Sequence, residues 1–180
     1  MAPVNSQTRA RKIGTRLRKP AITVGIVLAE YHGRIARRLL EGALKRLDDL
    51  GVRRGQISVL RVPGAYEVPA ALAALARRKS CRALVALGCV IRGETSHYDH
   101  VCQAAALGSM QVSLASGKAL GFGILTVNTL QQALRRSDPS ATATGADRKG
   151  KPRGASNKGA EAAETALRMA RLLQDAAAGL

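Results

Sequence analysis

A chain of 180 residues, 46% of them apolar and none of them tryptophan, can fold as one domain whose core is built from Leu, Val, Ile and Ala. Its three cysteines (Cys81, Cys89, Cys102) form no C-x-x-C pair, which argues against a disulfide scaffold or a structural zinc site and fits a reducing, cytoplasmic setting. The net charge of +17 is spread along the chain, with six basic and no acidic groups in residues 1–20, so it suits phosphorylated metabolites, acidic surfaces or nucleic acid without choosing among them.

Residues 1–20 read as a disordered basic arm ending at Pro20. Without stacking aromatics, that arm argues against nucleic acid as a partner. It also lacks the apolar stretch of a secretory signal, and no later run reaches membrane-spanning length. A single α/β domain is expected over residues 21–180. Ala21–Leu28 is a first strand, apolar enough to be covered on both faces, and Glu30-Tyr31-His32-Gly33 leaves it. From about Arg34 the residues Ala36, Leu39, Leu40, Ala43, Leu44 and Leu47 recur at helical spacing, with Gly51 as the stop. Ile57–Val62 is the second strand, its register open from pattern alone.

Pro63 to Pro69 connects this strand to a helix striped by Leu72, Leu75 and Ala76 and fading near Lys79-Ser80, with Pro69 suited to its first turn. Ala83–Val90 is the third strand. A third helix starts near Tyr98 and stops at Gly117; Leu120–Val127 is the fourth strand, and Leu130–Arg136 a short helix. Residues 138–156 form a basic, low-complexity loop rich in Ala, Thr and Gly. The last helix runs from Lys158 to about Ala178, with Ala163, Ala166, Leu167, Ala170 and Leu173 on one face. Such alternation predicts a three-layer α/β/α sandwich around a four-stranded parallel sheet, flavodoxin-like.

In a parallel sheet the polar groups after each strand gather at one edge: Glu30-Tyr31-His32, Ala65-Tyr66-Glu67, Arg92 through His100, and Thr126-Val127-Asn128. His97 is the acid/base candidate there, since an imidazole exchanges a proton near neutrality. A packed or surface histidine is the competing reading. His100 and His32 lack a third ligand at metal-binding spacing and are read as structural or interface residues. Gly93-Glu94-Thr95-Ser96 before a helix can wrap an anion through backbone N–H groups, or be an ordinary turn and cap. Arg136 is either a phosphate clamp or a solvated charge. Tyr31, Tyr66 and Phe122 offer flat walls for a heteroaromatic ring, or core packing. Cys89 and Cys102 read as small buried hydrophobes. No nucleophile triad, Walker loop or dinucleotide glycine fingerprint is present.

Two stretches carry a resemblance. Val62-Pro63-Gly64-Ala65-Tyr66-Glu67-Val68-Pro69 and Leu87-Gly88-Cys89-Val90-Ile91-Arg92-Gly93-Glu94-Thr95-Ser96-His97-Tyr98-Asp99 resemble the signature segments of the lumazine synthase family. The likeness extends through Gly25-Ile26-Val27, Phe122 to Thr126 and Asn157-Lys158-Gly159.

The resemblance implies condensation of 5-amino-6-(D-ribitylamino)uracil with 3,4-dihydroxy-2-butanone 4-phosphate, by a Schiff-base route with no metal or organic cofactor. It implies His97 as the proton-transfer residue and Tyr31 stacked on the pyrimidine. Ala65, Tyr66 and Glu67 would line the ribityl site, with Cys89, Val90 and Ile91 beside the ring. Gly93, Glu94 and Thr95 would hold phosphate, Arg136 completing that site from a neighbouring subunit. Phe122 and Lys158 would also belong to the shared interface of a pentamer-based homo-oligomer. Tyr31, His32 and Tyr66 depart from the family's more usual Phe, Asn and Phe. A pocket-retaining binding protein without turnover, and a basic interaction protein, are the competing functions.

Overall fold

In the computed structural model the described residues are 22–140 and 156–179. The arm at 1–20 and most of the 138–156 loop therefore lie outside them. Four strands, β1 (Thr23–Ala29), β2 (Ile57–Val62), β3 (Cys81–Ile91) and β4 (Ala119–Val127), alternate with five helices, α1 (Gly33–Asp49), α2 (Val68–Ala76), α3 (His97–Ser116), α4 (Leu130–Arg136) and α5 (Lys158–Ala177). All strands pair in parallel, in the order β2-β1-β3-β4, giving the expected three-layer α/β/α sandwich.

The side-chain period of two along the central strands explains the two cores. Val24, Ile26 and Leu28 of β1 and Ala83, Val85 and Leu87 of β3 face α1 and α5. Val27 and Ala29, with Leu84 and Ala86, pack instead with Leu72 and Leu75 of α2 and Ala105 of α3. The expected stripe of α1 is buried except for half-buried Leu44, and it gains Ile35. In α5 the stripe stops one turn early: Ala163, Ala166, Leu167 and Ala170 are buried, but Leu173 is 40% exposed.

Several boundaries move. β3 runs from Cys81 to Ile91, longer than its apolar run, because a centre strand is bonded on both sides. α2 is shorter, ending at Ala76, and a 3-10 turn over Ala65–Glu67 precedes it. β2, an edge strand, pairs Val24 with Ile57, and its side chains are exposed or half-buried. Gly117 (φ 64°) ends α3 in the left-handed region, as the glycine suggested. At Gly121 a Cβ would collide with the Ala162 carbonyl, so that glycine lets α5 lie against β4.

Both ends of the basic loop are anchored. Asp138 N–H donates to the Ser156 carbonyl (3.1 Å), Ser156 N–H to the Arg135 carbonyl (2.9 Å), and Ser137 bridges Asn157. Asn157 is fully buried and satisfied: its Oδ1 caps α5 through Ala160 N–H (3.1 Å), and its Nδ2 donates to the Arg38 carbonyl (3.0 Å). The strand order reverses between β1 and β3, and an open parallel sheet places its ligand crevice outside the carboxyl ends at that switch point.

Candidate active site

At that point lies a cleft of about 540 Å³, lined by the residues that follow β1, β2 and β3. Tyr31 and His32 leave β1 at its mouth. Tyr31 is 80% exposed, and the His32 ring meets it edge-on at 5.0 Å and 87°. His32 is the N-cap residue of α1, yet its side chain makes no capping bond; only its carbonyl serves, accepting the Ala36 N–H at 2.9 Å. Partial burial holds its imidazole below the usual histidine range.

From β2 comes the 3-10 turn. Ala65 is buried under α3, which turns Tyr66 (62% exposed) and Glu67 toward the cleft. From β3 come Cys89, Val90 and Ile91. The Cys89 thiol is pushed up to about 12, chiefly by burial and then by Cys102, so it is inert as a nucleophile at neutral pH.

Beyond Ile91 the exposed loop Gly93-Glu94-Thr95-Ser96 leads into α3. Thr95 Oγ1 accepts the His97 N–H at 3.4 Å, and Ser96 O accepts the Asp99 N–H at 2.9 Å. His97 opens the helix, and Tyr98 and Val101 follow on the same wall of the cleft.

Ten of the fourteen residues proposed from the sequence line this cleft: Tyr31, Ala65, Tyr66, Glu67, Cys89, Val90, Ile91, Gly93, Thr95 and His97. Glu94, Phe122, Arg136 and Lys158 do not. Phe122 is mid-strand opposite Ala86 and 42% exposed, Arg136 ends α4, and Lys158 pairs with Glu161 at 2.6 Å at the start of α5.

His32, Gly64, Tyr98 and Val101 line the cleft without having been assigned to it. For Tyr98 and Val101 the helical spacing from His97 was the available signal; for His32 it was adjacency to Tyr31. Among the described residues, no Lys or Arg lines the cleft. Among the described residues no group of three or more His, Cys, Asp or Glu is disposed to hold a metal ion, and no helix is long and apolar enough to cross a membrane.

Fold and cleft define a doubly wound α/β protein with a small-molecule site at the carboxyl edge of its sheet. The family model described as 6,7-dimethyl-8-ribityllumazine synthase matches residues 21–174. Two curated relatives of that name, from Coxiella burnetii strains CbuG_Q212 and RSA 493 / Nine Mile phase I, are each 40% identical over 152 residues, covering 84% of this chain and 91% of the relative. The chain belongs to the lumazine synthase family, whose members act in riboflavin biosynthesis.

Proposed function

We propose that this protein condenses 5-amino-6-(D-ribitylamino)uracil with 3,4-dihydroxy-2-butanone 4-phosphate to 6,7-dimethyl-8-ribityllumazine, releasing phosphate and water, in the cytoplasm and without a metal or organic cofactor. One observation carries the reading. A single cleft joins flat rings (Tyr31, Tyr66), a carboxylate (Glu67), a glycine-led loop at a helix N-terminus (Gly93, Thr95) and an imidazole (His97).

The substrates already contain the nucleophile and the electrophile. An amine of the pyrimidine adds to the ketone and water leaves to give the imine. Loss of the C3 proton and expulsion of phosphate leave an enol that tautomerises to a ketone, and the second amine adds to that carbonyl and closes the ring as a second water leaves. The protein has to align the two molecules, steady the departing phosphate and move protons. His97 takes and returns the proton, Tyr31 and Tyr66 sandwich ring and ribityl chain, and Glu67 accepts hydroxyl hydrogens. Cys89, Val90 and Ile91 offer the strand edge to the pyrimidine.

A phosphate dianion calls for a cation, and the described residues that line the cleft include no Lys or Arg. Arg136 and Lys158 of a second copy answer that need, with Phe122 of the same copy beside them, which makes the working unit a homo-oligomer, proposed as pentamer-based. Exposed apolar groups fit such burial: Leu107, Met110 and Leu114 of α3 are each at least 50% exposed. A steady-state assay with both substrates tests the reaction. Lumazine formation is expected, and a protein that binds the product but never forms it would be a pocket without turnover.

A further inference from the structure

The cation nearest the Gly93–Ser96 loop is already engaged. Arg92, the residue before the loop, donates from Nη2 to Asp99 Oδ1 at 2.7 Å and from Nη1 to Asp99 Oδ2 at 3.2 Å, a two-pronged pair that spans the loop. Its guanidinium also covers the Tyr98 ring, 4.1 Å from the centroid. The Arg92 backbone N–H donates to the Val127 carbonyl at 2.9 Å. The start of the loop is thereby tied to β4, and the Arg92–Asp99 pair ties its end back to the start.

The loop has little else to hold it. Residues 93–96 are exposed, and the bonds given above to Thr95 and Ser96 come from the first turn of α3. Solvent-exposed ion pairs usually contribute little, but a bidentate guanidinium stacked on a ring is pre-organised, so less freedom is lost in forming it. Arg92 holds the Asp99 carboxyl below the usual carboxylate range, so the pair stays formed in mildly acidic solution.

We propose that Arg92 and Asp99 form a staple that sets the Gly93–Ser96 loop and, through the first turn of α3, the position of His97. Arg92 is then a positioning residue and not an anion ligand, although it is the arginine closest in sequence to the anion loop. The proposal deepens the function given above and rests on it for the identity of the anion, the phosphate of the butanone substrate.

The test uses the full-length protein with Arg92→Gln, Asp99→Asn, the double variant and the exchanged pair Arg92→Asp with Asp99→Arg. Three quantities are read: KM and kcat for each substrate, the Kd of inorganic phosphate by calorimetry, and the thermal midpoint. A staple predicts that both single variants raise phosphate Kd and the KM of the phosphorylated substrate alike, by about three- to tenfold, with the double variant no worse than either. The exchanged pair recovers part of the loss, while the KM of the pyrimidine and the thermal midpoint stay close to wild type.

If Arg92 bound the anion itself, Arg92→Gln would weaken phosphate and Asp99→Asn, by releasing the cation, would tighten it. Opposite signs overturn the staple, as does an equal loss for both substrates accompanied by a fallen midpoint. A wild-type protein that binds phosphate but forms no lumazine rejects the proposed reaction, and the phosphate affinities then decide the staple alone. Wild-type protein that does neither overturns both.

Discussion

His97 and His32 share one cleft but stand in different surroundings. His97 stands at the start of α3 beside Thr95 and lines the same cleft as Gly93. Replacing it with Ala should lower kcat by about 10²- to 10⁴-fold, the usual worth of a positioned general acid/base, and steady-state kinetics with both substrates measures this.

His32 occupies an N-cap position and leaves it uncapped, its ring turned against Tyr31 instead. His32→Asn should restore a capping oxygen and raise stability at pH 7 by about 1 kcal/mol, read by urea unfolding, while raising KM for the pyrimidine by loosening Tyr31. The same change should flatten the acid dependence. A histidine whose folded pKa lies below its unfolded value of 6.5 disfavours folding once protonated. The wild-type excess loss therefore sets in as pH falls through 6.5, grows until the lowered folded value is passed, and is absent from the Asn variant. Thermal midpoints of both proteins at pH 7 and pH 5 give the comparison.

At the scale of elements, close approach matters as much as apolar area. β4 carries Gly121 where α5 presses its backbone against the sheet. Gly121→Ala should destabilise by about 1–3 kcal/mol, the usual range for an overpacked contact, seen as a lowered urea midpoint with an unchanged slope. α3 shows the opposite condition. Of its twenty residues only Ala105 and Ser109 are buried, so a single chain leaves most of that helix unused.

Helix and strand identities were readable because they depend on local pattern. Leu39, Leu40, Ala43 and Leu47 announce α1 by spacing, and Gly117 announces the end of α3 by its freedom at positive φ. The end of β3 at Ile91 and the early end of the α5 stripe were not readable, since neighbouring elements determine them.

For the whole molecule, the described residues that flank the basic 138–156 segment close on one another. Its ends meet through Asp138 and Ser156, and Asn157 locks the return into α5 and the Arg38 carbonyl. Replacing residues 141–155 with a short Gly-Ser link should leave the thermal midpoint within about 4 °C of wild type, because loop closure depends only weakly on length. Light scattering on the same variant reports whether the segment influences particle size. A monomer-only result for wild type would reject the proposed assembly.

Sequence alone determined the alternation of strands and helices, the family and the polar stretches after each strand. Those features are written in neighbouring residues: apolar period, turn glycines and motif order. Only the tertiary structure decided which of the proposed residues share a cleft, that Glu94, Phe122, Arg136 and Lys158 lie outside it, and that Arg92 is bound to Asp99. A pair seven positions apart has no fixed geometry until β3, the loop and α3 are held together by β4. That no described Lys or Arg lines the cleft is likewise a property of three strand ends at once, and no single segment records it.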